Sequence, residues 1–195
     1  MNKIDVFKNE YEYIKNIELV DDFKKLVDGL PDYFFTVAAS STGKYHPKFA
    51  SGGGGLVRHT KVAVRFAYDL LSNPCIGDKY TSKEKDMMII ALTLHDGLKH
   101  GNPEEKYTKA DHPLLICDHI RNESNNLTSL KEEDIEFICD VISSHMGPWN
   151  TDYYTKEEIL PKPKNKYQNF VHMCDYLASR KFVNVEFDLE NRITD

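Results

Sequence analysis

The chain has 195 residues and a mass of 22.5 kDa, and its 31 acidic residues outnumber its 25 basic residues to give a net charge of −6. This length suits one domain with a substantial core, and 41% hydrophobic with 29% charged residues is typical of a soluble globular protein. The composition excludes a collagen-like, low-complexity or disulfide-dense chain. The net acidity argues against a protein that coats nucleic acid through bulk charge, but it permits a local pocket for a phosphorylated ligand.

Residues 1–5 contain no apolar stretch of the kind found in signal peptides, and no apolar run approaches the length of a membrane span. The four cysteines form no CxxC pair and lie in apolar or helical surroundings. They are predicted to be reduced, mostly buried thiols rather than a zinc site. These features favour a cytoplasmic protein without a membrane partner.

The first part of the chain is predicted to form one helix and one long loop. Apolar residues recur at spacings of three and four over residues 7–30, which predicts a helix that stops at Gly29 to Pro31. Residues 36–55 are small and turn-rich, end in four glycines and show no periodicity. Loops of this length are uncommon, so the segment is either a functional loop or a disordered one.

The rest of the chain is predicted to be helical. Residues 83–95 carry apolar side chains on nearly all sides, which is typical of a central, buried helix. A weak alternation over residues 182–189 predicts a short edge strand or tail. The other predicted helices cover residues 56–71, 112–121, 131–144 and 167–181. We therefore expect an all-α bundle that forms a single domain over residues 1–195.

Histidines and aspartates occupy places where an apolar helix requires them to have a partner. His95 and Asp96 are adjacent at the end of the buried helix, and His59 lies early in the helix after the glycine-rich loop. Asp175 lies among apolar residues of the last strong helix. A buried carboxylate must be paired, protonated or metal-bound, and residues 87–97 contain no Lys or Arg. A divalent cation would neutralise both aspartates, and imidazole with carboxylate suits Mn, Fe, Zn, Ni or Co better than Ca.

Two further histidines are candidate ligands. His145 lies at helical spacing from three isoleucines, on the inward stripe of its helix. His112 opens another helix before a proline, and His119 competes with it from nearly the same face two turns later. His46 and His172 are weaker candidates, and His100 is expected to be solvated. Taken singly, a histidine on an apolar face is more often a satisfied core residue than a ligand.

Three sequence motifs contain the strongest candidates. They are Gly54-Gly55-Leu56-Val57-Arg58-His59-Thr60, then Leu92-Thr93-Leu94-His95-Asp96-Gly97-Leu98-Lys99, then Val171-His172-Met173-Cys174-Asp175-Tyr176-Leu177-Ala178-Ser179-Arg180-Lys181. A His, an adjacent His-Asp and a distant Asp in this order resemble the HD-domain metal-dependent phosphohydrolase superfamily. The glycine-rich lead and the Asp-Tyr-Leu-Ala-Ser-Arg context are similar to the branch of bacterial 3′-to-5′ exoribonuclease HD domains and their small phage or bacterial relatives. The resemblance covers roughly residues 36–182, with residues 1–35 as an N-terminal helical extension.

The resemblance implies an all-helical HD-domain bundle with one or two divalent transition-metal ions. The first ion would be held by His59, His95, Asp96 and Asp175. In two-metal members, two further histidines bind the second ion and the Asp of the His-Asp pair bridges both. The residues in the matching places are His112 and His145.

The sequence departs from the family at two places. Many relatives read His-Asp-Ile-Gly-Lys, whereas this chain has Gly97 and Leu98 before Lys99. A second histidine often follows the equivalent of His145, whereas this chain has Met146. The departures leave the second ion less firmly implied than the first.

The implied chemistry is hydrolysis of a phosphoester or phosphoanhydride, in which a divalent ion activates water and polarises the phosphoryl oxygen. Asp96 is the expected catalytic ligand, and Lys99, one turn later, is expected either to reach a phosphate oxygen or leaving group or to lie at the surface. The candidate substrate-binding residues are Lys44, His46, Arg180 and Lys181. The loop that contains Lys44 is not a P-loop, because the Gly-x-x-x-x-Gly-Lys spacing is absent.

The expected substrate is a small phosphorylated molecule, either a nucleotide or a short oligonucleotide. The aromatic residues Trp149, Tyr153 and Tyr154 would stack on a base or, equally, cover the edge of the core. The alternatives are a 3′-to-5′ exonuclease, which the acidity disfavours, and a metal-containing nucleotide-binding protein without turnover. A purely structural helical domain would contain no metal.

Overall fold

The computed structural model describes residues 2–194, and apart from one two-stranded sheet its regular elements are helices, which confirms the predicted all-α class. In chain order the helices are α1 Lys3–Val6, α2 Lys8–Tyr11, α3 Val20–Asp28, α4 Gly55–Ser72, α5 Pro74–Gly77, α6 Ser82–Leu94, α7 His112–Glu123, α8 Glu132–Ser143 and α9 Lys166–Ala178. The five helices predicted after the glycine-rich loop are all present, with ends that differ by at most three residues. Within residues 2–194, no helix is long and apolar enough to cross a membrane.

Helix α6 is the central element of the bundle, as its apolar residues predict. Every residue from position 86 to position 94 is buried, and the helix packs against α3, α4, α8 and α9. Its start is fixed by a capping box, in which the Thr81 hydroxyl accepts from the Glu84 N–H at 3.2 Å and the Glu84 carboxylate accepts from the Thr81 N–H at 2.7 Å. The helix ends at the cap residue His95, so it delivers His95 and Asp96 to the middle of the domain.

The other long helices surround α6 and bring the remaining candidate residues towards its end. Helix α4 packs against α6 and α9, and α8 packs against α6, α7 and α9. Their apolar faces form one continuous buried core together with the N-terminal segment. Three cysteines, Cys117, Cys139 and Cys174, are buried in this core, and all four cysteines are free thiols, as predicted.

The N-terminal segment differs from the prediction of one helix over residues 7–30. It contains α1, α2, a 3-10 turn at Ile17–Leu19 and α3. The break lies where the buried carboxylate of Asp86 on α6 accepts from the backbone N–H groups of Lys15 at 2.9 Å and Asn16 at 2.8 Å. These N–H groups donate to a side chain and not to helical carbonyl groups. A tertiary contact therefore overrides the local periodicity.

The glycine-rich loop is well anchored by backbone hydrogen bonds. The Ala39 N–H donates to the Ala50 carbonyl at 3.0 Å, and the Leu56 N–H donates to the Val37 carbonyl at 3.0 Å. Gly55 is required where the loop enters α4, because a Cβ there would lie 2.2 Å from the Ala50 carbonyl oxygen. The loop is therefore held against the start of the helix that carries His59.

The C-terminal segment contains less strand than predicted. Only Glu186–Phe187 (β1) of the expected strand over residues 182–189 is extended, and it pairs antiparallel with Ile193–Thr194 (β2). The neighbouring apolar residues Phe182 and Leu189 are exposed. They add nothing to the core, which explains why so weak an alternation forms only a two-residue ladder.

Candidate metal centre

Six side chains from five parts of the chain converge at the end of α6. His59 is on α4, His95 and Asp96 cap α6, His112 begins α7, His145 follows α8, and Asp175 is on α9. The four histidines and Asp96 are buried, and Asp175 is partly buried at the floor of a cleft. All six predicted metal ligands are therefore close neighbours in space.

The first group of ligands is formed by His59, His95 and Asp175. Oδ1 of Asp175 lies 2.9 Å from Nε2 of His59 and 3.4 Å from Nε2 of His95. Oδ2 of Asp96 faces the same two nitrogens, at 4.0 Å and 3.5 Å. Imidazole nitrogens and carboxylate oxygens thus surround one point from several directions.

The second group lies on the other side of the same carboxylate. Oδ1 of Asp96 is 2.9 Å from Nε2 of His112 and 3.8 Å from Nε2 of His145. The two histidine nitrogens are 3.3 Å apart. Asp96 therefore presents one oxygen to each histidine group.

Backbone carbonyl groups orient three of the rings. Nδ1 of His95, of His112 and of His145 each lies within 2.6–2.8 Å of the main-chain carbonyl three residues earlier. A carbonyl only accepts hydrogen bonds, so these contacts assign the proton to Nδ1 and leave the Nε2 lone pair directed into the cluster. A support of this kind is typical of metal-binding histidines.

The cluster keeps both carboxylates ionised. Burial alone would raise the pKa of Asp96, but Lys99 and the neighbouring imidazoles hold that pKa well below its usual value. Burial also opposes ionisation of Asp175, but the hydrogen bond with His59 and the close imidazole of His95 lower its pKa well below the usual value. Ionised carboxylates, one buried and one partly buried, favour a cation in this cluster.

The histidines respond differently to the same surroundings. Burial lowers the pKa of His145 to about 3, so this ring is neutral at physiological pH. Burial also disfavours the charged form of His95, but Asp96 and Asp175 outweigh it and raise the pKa of His95. A neutral imidazole is the form that binds a metal, so a raised pKa means that a metal and a proton compete for the His95 ring.

These residues fit a divalent metal ion. The ligand atoms of His59, His95 and Asp175 lie within 4.8 Å of one another, and the same is true of His95, Asp96 and His145. Nε2 of His95 is buried without a hydrogen-bond partner among residues 2–194, which is an arrangement that a metal bond would satisfy.

Lys99 already neutralises the Asp96 carboxylate, although the sequence near Asp96 indicated no basic partner for it. Residues 87–97 contain no Lys or Arg, but Nζ of Lys99, two residues beyond that run, donates to Oδ2 of Asp96 at 2.5 Å. Lys99 itself is buried and also lines the cleft. A metal is therefore not the only means of neutralising the Asp96 carboxylate. The support for a metal is the geometry of the histidines.

The metal ligands open into a cleft of about 750 Å³. His46 and Arg180 line this cleft, and the His46 ring contacts the His59 ring edge to face, with centroids 4.7 Å apart. Lys44 and Lys181 are exposed and do not line it. Only two of the four predicted substrate-binding residues are therefore brought to the ligands.

The remaining histidines are also distinguished by the fold. His112, not His119, faces His145, whereas His119 lies beside Gly29 of the N-terminal segment. His172 supports the cluster indirectly, because its Nδ1 donates to the His145 carbonyl at 2.6 Å. His100 was expected to be solvated, but it is buried and stacks on the Tyr33 ring.

Several cleft residues were not identified from the sequence. Tyr176 lines the cleft on α9, Ser179 lines it at the cap of that helix, and Thr108 lines it just before α7. Tyr176 directly follows Asp175, so its adjacency to a predicted ligand was the available signal. Thr108 carries no such signal, because its position depends on how the segment before α7 folds back.

No protein-family model, no curated protein and no solved structure matches the chain. The functional interpretation therefore depends on the geometry of the residues themselves.

Proposed function

We propose that the protein is a metal-dependent phosphohydrolase of the HD-domain type that acts on a small phosphorylated substrate. The observation that carries the proposal is the carboxylate of Asp96, whose Oδ1 faces His112 and His145 while Oδ2 faces His59 and His95. A carboxylate shared by two histidine groups is suited to bridging two divalent ions. The motif order in the sequence supports the same family.

The chain's own residues would divide the binding of metal between two sites. His59, His95, Asp175 and Oδ2 of Asp96 would hold one ion, and a second would be held by Oδ1 of Asp96 with two more histidines, His112 and His145. A bound divalent ion supplies Lewis-acid activation of water and of the phosphoryl group. The buried histidines and their carbonyl supports fix the ligand positions before substrate arrives.

Lys99 has the position of a phosphate-binding and charge-stabilising residue. Its ammonium donates to Asp96 and lines the cleft. It can therefore donate to a phosphate oxygen while it remains close to the ligands. Arg180 adds a second positive charge to the cleft, at the end of α9.

The size and charge of the molecule favour a small substrate over a long nucleic acid. The cleft has a volume suited to a small molecule, and the chain carries a net charge of −6. An extended nucleic-acid surface requires a stripe of basic residues outside the cleft. We therefore place a small phosphorylated molecule ahead of a polynucleotide.

Metal analysis combined with a substrate screen tests the proposal. Purified full-length protein is expected to contain a transition metal and to release product from phosphorylated substrates in the presence of Mn²⁺, Co²⁺, Ni²⁺ or Mg²⁺. Asp96→Asn is expected to lose both metal and turnover with an unchanged circular dichroism spectrum. Asp118→Asn, a change to an exposed acid on α7, serves as the matched control and is expected to retain both.

Other outcomes would identify another function. Absence of metal and of turnover with every ion would contradict the proposal and favour a structural domain. Metal and tight nucleotide binding without turnover would indicate a binding protein. Stepwise removal of nucleotides from a single-stranded oligonucleotide would indicate an exonuclease.

A further inference from the structure

An aromatic wall stands on one side of the cleft, next to the metal ligands. The rings of Trp149 and Tyr176 are stacked, with centroids 5.8 Å apart and planes inclined by 13°. Both residues line the cleft, and Trp149 remains 55% exposed. An exposed indole beside a charged cluster offers a flat apolar surface for a ligand.

The wall is held in place by its surroundings. The buried side chain of Asn150 donates to the Leu160 carbonyl at 2.8 Å, and the Asn150 carbonyl accepts from the Ile159 N–H at 2.9 Å. These bonds fix the loop directly after Trp149. Tyr176 is fixed by its position on α9, so the stacked pair is preorganised rather than formed by a mobile loop.

A cation lies at the outer part of this wall. The Arg180 guanidinium is 3.9 Å from the centre of the Tyr176 ring, and its Nη2 donates to the Ser179 hydroxyl at 2.6 Å. No carboxylate in residues 2–194 lies within 4.0 Å of its nitrogens. The guanidinium is therefore positioned to contact an anionic or polar group of a ligand on the wall.

The wall and the metal ligands are joined by one helix, which sets the distance between them. Asp175 and Tyr176 are consecutive residues of α9 that both line the cleft, and Ser179 is the cap residue at the end of this helix. A ligand whose phosphate lies in the cleft beside the metal ligands would therefore have its adjacent group close to the wall. The hydroxyl groups of Ser40, Ser41 and Thr42 also line the cleft and offer partners for a polar sugar.

We propose that Trp149 and Tyr176 form a base-binding subsite, so that the substrate is a nucleoside phosphate rather than a sugar phosphate. This assignment rests on the proposed function for the role of the phosphate, and on the aromatic wall for the base. Stacking accepts any base, because every base has a π face. The subsite therefore selects for the presence of a base and only weakly for its identity.

Fluorescence provides a direct test, because Trp149 is the only tryptophan of the chain. Full-length protein is titrated with AMP, UMP and ribose 5-phosphate, once with Zn²⁺ and once with EDTA. We expect a saturable change in Trp149 emission with AMP and UMP. Ribose 5-phosphate is expected to bind at least about tenfold more weakly and to leave the emission unchanged.

Matched variants test the wall by calorimetry. Trp149→Ala is expected to weaken AMP binding about tenfold and to leave ribose 5-phosphate binding unchanged, whereas Trp149→Phe retains most of the affinity. The side chain of Trp149 is more than half exposed, so its truncation spares the core. Tyr154→Ala changes an exposed aromatic residue of the same loop that does not line the cleft, and it is expected to have no effect.

The outcomes separate this proposal from the function on which it rests. Saturable AMP binding reported by Trp149, without turnover of any substrate, would leave the base subsite standing and overturn the phosphohydrolase. Turnover of AMP and ribose 5-phosphate with equal efficiency in wild type and Trp149→Ala would overturn the base subsite alone. Failure of both nucleotides to bind, or AMP binding that leaves Trp149 emission unchanged, would also overturn it.

Discussion

Asp96 and His112 are joined by a contact of 2.9 Å between Oδ1 and Nε2. The other carboxylate oxygen of Asp96 accepts from Nζ of Lys99 at 2.5 Å. One buried carboxylate is thus held between an imidazole and an ammonium group. A metal held by Oδ2 of Asp96 must compete with Lys99 for that oxygen, which gives Lys99 two roles that experiments can separate.

Lys99→Met is predicted to bind metal more tightly but to turn over substrate more slowly. Removal of the ammonium removes the cation that competes for Oδ2 of Asp96, so Zn²⁺ affinity should rise by about tenfold, equivalent to about 1.4 kcal/mol. Turnover should fall at least about tenfold, because the cleft loses a phosphate-binding charge. Competition with a chromophoric chelator measures the affinity, and product release measures the turnover.

Lys181→Met is the control for this pair of effects. Lys181 is exposed and does not line the cleft, so metal affinity and turnover should remain at the wild-type level. Weaker metal binding in Lys99→Met would show that Lys99 supports the ligand geometry instead of competing with the metal.

Gly147→Ala is predicted to destabilise the protein and to displace Trp149. Gly147 has φ +58°, and a Cβ there would lie 2.2 Å from Cε1 of His172, the ring that donates to the His145 carbonyl. The left-handed conformation alone costs about 1–2 kcal/mol for an L-residue. We expect a larger loss from the clash, measured by urea unfolding, together with a changed Trp149 emission maximum.

Gly52→Ala measures the loss of unfolding free energy that is due to the backbone conformation alone. Gly52 has φ +68°, and apart from its two chain neighbours no residue in 2–194 has an atom within 4 Å of the position that a Cβ would take. It should lose only the about 1–2 kcal/mol due to the backbone conformation. Equal losses of unfolding free energy in Gly52→Ala and Gly147→Ala would mean that His172 moves aside without cost.

His46→Gln is predicted to make the metal-free protein less sensitive to acid. Burial lowers the pKa of His46 from 6.5 to about 3, so between these pH values the unfolded state binds a proton that the folded state does not. This contribution is absent above about pH 6.5 and destabilises the fold increasingly as the pH falls, by about 1.4 kcal/mol per pH unit. His46→Gln has no imidazole at this position and therefore lacks this acid-dependent destabilisation.

The measurement is the free energy of unfolding in urea and EDTA at a series of pH values. Between pH 6 and pH 4 the curve for His46→Gln should fall less steeply than that of wild type, by about 1.4 kcal/mol per pH unit. Parallel curves would show that His46 is protonated in the folded state as readily as in the unfolded one.

Glu10→Leu is predicted to destabilise the protein by about 3–5 kcal/mol, because it leaves the buried Lys61 unpaired. Nζ of Lys61 donates to Oε2 of Glu10 at 2.9 Å, and both side chains are almost fully buried. The double variant Glu10→Leu with Lys61→Met should recover most of this loss, since it buries no unpaired charge. Additive losses in a double-mutant cycle, measured by urea unfolding, would contradict the pairing.

The helices after the glycine-rich loop could be predicted because their sequence patterns agree with their final surroundings. Helix α6 is apolar on all sides and is in fact buried on all sides. The N-terminal helix was predicted wrongly because local periodicity does not report Asp86, which captures the N–H groups of Lys15 and Asn16 from 70 or 71 residues away. Short-range sequence pattern determined helix α6, whereas a long-range hydrogen bond determined the break in the N-terminal segment.

For the candidate site, too, some features follow from the sequence and others only from the fold. The sequence by itself determined which residues are candidate ligands, since a His-Asp pair at the end of an apolar helix requires partners whatever the fold. Only the tertiary structure decided that His112 rather than His119 faces Asp96, that Lys99 neutralises it, and that Trp149 stacks on Tyr176. These relationships join different helices and loops, and their distances depend on how the helices pack rather than on spacing along the chain.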